Sequence, residues 1–163
     1  MRAFVAAIAA ASVFALPTQA GEFTSTADAA VAALDEVCGL SQAAATAPAF
    51  VARMEQAHGW SFEGTTFSAE GPGGTFSVRV TPDACVIAAK APGDDMRMAD
   101  RAVIAWTTRK GLQLTQPDNH SANGVSTLRR RGDTGSGKIT WSVLVWPGDP
   151  RPAELDIAYT RPK

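Results

Sequence analysis

No apolar run in this 163-residue chain reaches the ~18 residues from which a membrane-spanning helix is read. The chain has two cysteines and two histidines, with no C-x-x-C spacing, so thioredoxin-like redox chemistry has no motif to stand on. A zinc site assembled from all four would have suitable ligand types, but none of the tight pair spacings that metal sites use. There is no G-x-S-x-G elbow to expose a serine nucleophile. The formal charge is −1, which provides no electrostatic case for nucleic acid or an anionic membrane surface. Internal repeats and low-complexity linkers are also lacking. With 45% hydrophobic and 19% charged residues, the remainder reads as one ordinary globular domain.

The N-terminus has the pattern of an export signal. Arg2 supplies a positive start, and Ala3 to Leu16 is an uncharged run of fourteen residues, too short to cross a ~30 Å hydrocarbon core. Pro17 ends the run, and Thr18-Gln19-Ala20 places small side chains where a signal peptidase reads, so cleavage is expected before Gly21. Residues 1–20 are thus expected to be a cleaved signal peptide, and 21–163 a single domain in the bacterial periplasm or outside the cell. No cysteine follows the apolar run, so a lipid anchor is not expected. In that oxidising compartment Cys38 and Cys85 read as one disulfide. Closing so long a loop stabilises a fold by roughly 3–4.5 kcal/mol in the chain-entropy model.

Periodicity predicts three helices. The first starts at Ser25 or Thr26 and carries Ala27, Val31, Leu34 and Cys38 on one face, with Gly39 as its stop. The second runs from Thr46–Pro48 to Gly59, with Phe50, Met54 and Ala57 as its apolar stripe. The third runs from Asp94 or Asp95 to Lys110, with Ala99, Ala102, Val103 and Trp106 inward and a Schellman-type stop at Gly111-Leu112. Period-two alternation marks strands around Phe76–Val80, Asp83–Lys90, Ile139–Val145 and Leu155–Tyr159, and more weakly at Phe62–Glu70 and Gly124–Arg131. Short turn-rich connections make the pairing antiparallel. The expected fold is α+β: an antiparallel sheet of about five to six strands, with three helices mainly on one face and one disulfide.

Val37-Cys38, Ala49-Phe50, His58-Gly59-Trp60, the Cys85 strand, Trp106 with Gly111-Leu112, and Trp141-Ser142-Val143 together resemble a group of small secreted proteobacterial proteins. The resemblance spans most of the chain after the signal. It implies a helix-to-strand disulfide and carries no implication for chemistry.

Several motifs dissolve on inspection. Gly132 to Lys138 has the G-x-x-x-x-G-K spacing of a phosphate loop, but Ile139 stands where Ser or Thr must hold magnesium, and a strand follows where a helix is needed. It reads as a glycine-rich hairpin. Arg131-Gly132-Asp133 within it is ordinary turn chemistry, and the Asn119-His120-Ser121 sequon predicts nothing without eukaryotic machinery.

Arg129, Arg130 and Arg131 form the one basic run. They read either as a solvated strand end that discourages edge pairing, or as a site for an acidic partner or the phosphates of an envelope lipid. Trp60 and Trp146 sit at element ends, as core or rim packing or, if exposed, as part of a binding patch. His58 suits the negative end of its helix, and His120 an exposed loop. The leading expectation is a non-catalytic periplasmic domain that binds an envelope protein or cell-wall component, without cofactor or metal. The alternative is a small hydrolase using His58 or His120 with an acid such as Asp118. Export itself is directly testable: intact-mass measurement of the periplasmic fraction should find a chain beginning at Gly21, whereas a cytosolic product retaining Met1 would refute the signal.

Overall fold

A computed structural model describes residues 23, 25–134 and 137–161, with Thr134 described in its backbone alone. The expected signal peptide lies outside the described residues.

The first helix, α1 (Thr26–Ala32), is capped by Ser25, whose hydroxyl accepts from the Asp28 amide at 3.2 Å. It continues as a π-helical turn over Ala33–Val37, closed by Cys38 N–H donating to the Ala33 carbonyl at 2.9 Å. The wider turn lets Leu34, Val37 and Cys38 all face inward. Ala30 and Ala33 are fully buried and Val31 only half so, a rotation from the stripe that regular α periodicity predicts. A short α2 (Gln42–Ala45), not foreseen, precedes α3 (Pro48–His58). Gly59 ends α3 in the left-handed region, as expected. Met54 is buried and Phe50 half-buried, but Ala57 is exposed, because α3 rests on the sheet by one narrow edge. The long helix α4 (Gly93–Arg109) ends in a Schellman motif: Leu112 N–H donates to Thr107 at 3.0 Å and Gly111 N–H to Thr108 at 3.1 Å.

The strands are β1 (Ser61–Glu63), β2 (Thr66–Gly71), β3 (Gly74–Val80), β4 (Ala84–Ala91), β5 (Gln113–Leu114), β6 (Asp118–Ala122), β7 (Val125–Thr134), β8 (Gly137–Val145) and β9 (Ala153–Thr160). All pair antiparallel in one sheet of order β1-β2-β3-β4-β9-β8-β7-β5, with β6 beside β5 on the outer edge of β7. Among the described residues nine strands replace the expected five or six, for two reasons. Phe62–Glu70 is broken at Gly64 into a hairpin, and β5 and β6 have no apolar alternation to announce them. The β2–β3 turn requires glycine: Gly74 has φ of 109°, and a Cβ there would run into the Lys90 carbonyl.

One face of the sheet carries the core. Phe76, Val78 and Val80 of β3, Cys85 and Ile87 of β4, Leu155 and Ile157 of β9, and Ile139 and Trp141 of β8 are all at most 3% exposed beneath the helices. Near one edge of this layer, Asp35 ties α1 to α4, accepting from Trp106 Nε1 and Lys110 Nζ, both at 2.9 Å. Burial raises the Asp35 pKa, but the hydrogen bonds from Lys110 and Trp106, with the Lys110 and Arg109 charges, outweigh it and hold the carboxyl below its ordinary value.

Cys38 and Cys85 form the disulfide, with Cα atoms 5.1 Å apart. It joins the end of the first helix to β4, the helix-to-strand link expected. Arg161 reinforces this corner, donating from Nε to the Cys38 carbonyl at 3.2 Å and from Nη1 to Thr81 at 3.0 Å. Replacing either cysteine by serine should lower unfolding free energy by roughly 2–5 kcal/mol, with the double variant costing little more than one single change. Denaturant titration checks this, and additive losses would show that the cysteines act separately.

Candidate functional site

Strand alternation sends neighbouring arginines of β7 to opposite faces. Arg130 points inward, under α4. Its Nε and Nη2 donate to the two carboxylate oxygens of Asp100, each at 3.1 Å, and Trp141 Nε1 donates to the same carboxylate at 2.8 Å. The side chains of Arg130 and Asp100 are 19% and 11% exposed. Removing one partner from so buried a pair leaves the other uncompensated, which typically costs 3–5 kcal/mol. Arg130 is therefore a structural residue and not part of a surface patch.

Arg129 and Arg131 point outward, onto the sheet face that no described helix covers. Both are exposed, and among the described residues neither makes an ion pair. Across β8 they stand opposite Ser142 and Thr140 respectively. The next strand, β9, offers Asp156 beside Ser142 and Ala158 beside Thr140, and β4 then offers Ala88 and Val86. Small side chains on three adjacent strands leave a depression of about 620 Å³, with Arg129 and Arg131 on one bank. Lys138 on the same bank is engaged with Asp133 at 3.7 Å. A second hollow, over Ser68, Ser77 and Ala88, adjoins it at Asp156.

Asp156 is the one acid at the centre of this floor. Burial pushes its carboxyl above the ordinary range, repulsion from Glu154 adds to this, and Lys90 partly offsets it. Lys90 is itself paired to Glu154 at 2.9 Å.

The other candidates lie apart. Trp60 is 3% exposed, packed against Phe67 and Phe76 and stacked on the His58 ring at a centroid distance of 4.6 Å. It belongs to the core, because the chain turns inward after α3. Trp146 is half-buried, with the Arg151 guanidinium 5.3 Å above its ring, and does not line the depression. His58 Nε2 lies 3.0 Å from Glu36 Oε1, joining α3 to the end of the first helix. His120 and Asp118 share a face of β6 and line a small hollow of about 160 Å³ with Thr127 and Arg129. Among the described residues, none hydrogen-bonds the His120 ring, and no three metal-ligating side chains lie together. Gly132 to Lys138 forms the end of the β7–β8 hairpin, with residues 135 and 136 outside the described set.

The floor residues Val86, Thr140, Ser142 and Asp156 belong to no motif that points to chemistry. Their signal is the reverse of the core signal: the small or polar alternate positions of strands whose other face is apolar. No family model, no curated protein and no solved structure matches this chain.

Because Asp156 has a raised pKa in the folded state, it opposes folding once it ionises. Stability is unaffected below the unfolded-state value of about 3.9, falls as pH rises toward the folded value, and stays reduced above it. Asp156→Asn should therefore match the parent protein in acid and be more stable at neutral pH. Paired melting curves across that range test this, and a variant less stable at neutral pH would overturn it.

Proposed function

We propose that the mature chain is a non-catalytic domain of the bacterial periplasm that binds a protein or envelope component on the open face of its sheet. The observation that carries this reading is the pair of exposed, unpaired arginines beside a wide floor of small residues. An antiparallel sheet tolerates a solvated face, and here that face is hollowed by small side chains, which gives a ligand space beside the two cations. The signal-like N-terminus and the disulfide support the compartment. No described helix is long and apolar enough to cross a membrane. The likeness to small secreted proteobacterial proteins belongs to the same proposal.

A second reading has one observation in its favour: His120, Asp118 and Thr127 line one hollow, the residue types of a small hydrolase. Capture experiments separate the two. Immobilised mature protein should retain a component of a native periplasmic extract, and the Arg129→Ala/Arg131→Ala double variant should lose it. Retention unchanged by the double variant would sink the binding reading. An esterase or phosphatase activity abolished by His120→Ala would replace it with the hydrolase.

A further inference from the structure

We propose that Arg129, Arg131, Thr140 and Ser142 form a seat for the phosphoryl headgroup of a single envelope lipid, whose apolar part lies over Ala158 and Val86. This rests on the open face being the binding surface. The register makes the seat. Arg129 faces Ser142 and Arg131 faces Thr140 across β7 and β8. Neighbouring strands lie about 4.8 Å apart and alternate residues about 6.8 Å, so two guanidiniums and two hydroxyls stand at the corners of a patch of phosphate dimensions. Guanidinium forks match phosphate oxygens two at a time, and hydroxyls donate to the remaining ones.

Among the described residues no acid is ion-paired to Arg129 or Arg131. Asp133 is drawn to Lys138, and Asp156 lies one strand beyond Ser142. Asp118, across from Arg129 on β6, makes no ion pair with it, and the two residues border the small hollow that adjoins the seat.

The neighbouring floor decides what carries the anion. Beside the seat, Ala158 and then Val86 extend an apolar strip into the depression. Among the described residues no aromatic ring faces it, since the Trp141 ring is turned inward to Asp100, so sugars and nucleobases lack a stacking platform. The depression opens on the sheet face and meets an edge only at Thr115, so most of its floor offers no backbone for an extended peptide to add to as a strand. A phosphate joined to an acyl chain satisfies both halves. The near-neutral charge of the chain gives no pull toward a bilayer surface, so the seat takes one lipid molecule at a time.

Calorimetric titration of the mature protein with dihexanoyl phosphatidic acid, inorganic phosphate and dihexanoyl phosphatidylcholine tests this at physiological ionic strength. Phosphatidic acid should bind at least about tenfold more tightly than either of the others. Arg129→Gln and Arg131→Gln should each weaken it roughly tenfold, the worth of one charge-assisted contact. Val86→Asn should weaken the lipid while leaving phosphate unchanged, and Arg101→Gln, on the exposed side of α4, should change neither. Equal affinity for phosphate and lipid would overturn the amphiphile assignment, as would binding indifferent to Arg129 and Arg131. If the arginine double variant loses a captured periplasmic component but the parent binds no phosphatidic acid, the open-face reading stands and the lipid seat falls.

Discussion

The carboxylate of Asp100 decides which way β7 faces. Placed on the buried side of α4, it can be compensated only by a cation from the sheet below, and Arg130 supplies one in bidentate geometry with the Trp141 indole as a further donor. Slipping β7 by one residue would carry Arg130 to solvent and thrust Arg129 or Arg131 under the helix, out of line with the carboxylate. The buried pair is a weak contributor to net stability compared with apolar packing, but it discriminates strongly between registers. That discrimination leaves the two flanking arginines outward and adjacent. The site on one face is thus set by a contact on the other.

The two faces divide the same strands by composition. Inward positions of β3, β4, β8 and β9 carry Val, Ile, Leu, Phe and Trp, which the helices cover. Outward positions carry Ser, Thr, Ala and isolated charges, with Val86 and Leu144 the larger apolar side chains among them, and no described element covers them. Antiparallel sheets tolerate such a wet face readily. Here the wet side also has little bulk on its central strands, which is why it is hollow.

Helix ends were legible because capping chemistry is local: Ser25, Gly59 and Gly111-Leu112 act where the residue types say they should. Core strands were legible because burial on one face imposes alternation, as in Ile139-Trp141-Val143. The edge strands were not. Asp118–Ala122 is exposed throughout, so nothing selects its side chains for a strand. Its one signal was Asn123-Gly124, whose positive φ values of 53° and 75° form the tight turn of a two-residue hairpin. The three arginines were legible as a cluster but not as a division, since a linear run hides the alternation that splits it. Trp60 was ambiguous because a residue just after a helix stop can turn either way, and only packing against Phe67 and Phe76 settles it.

The position of β9 has a temporal consequence. The strand at Ala153–Thr160 lies between β8, its neighbour in the sequence, and β4, which lies far earlier in the chain; β4 and β8 do not touch each other along the ladder. A chain emerging from its N-terminus can zip β1 through β4, and later β7 with β8, but the two halves present bare polar edges toward each other until β9 arrives. Such edges are templates for pairing with other molecules. Completion of the sheet is therefore a single late event that joins distant parts of the chain, the slow kind of contact. A chain that emerges in order spends that interval exposed to its neighbours, and the segment that ends the danger follows both halves it joins.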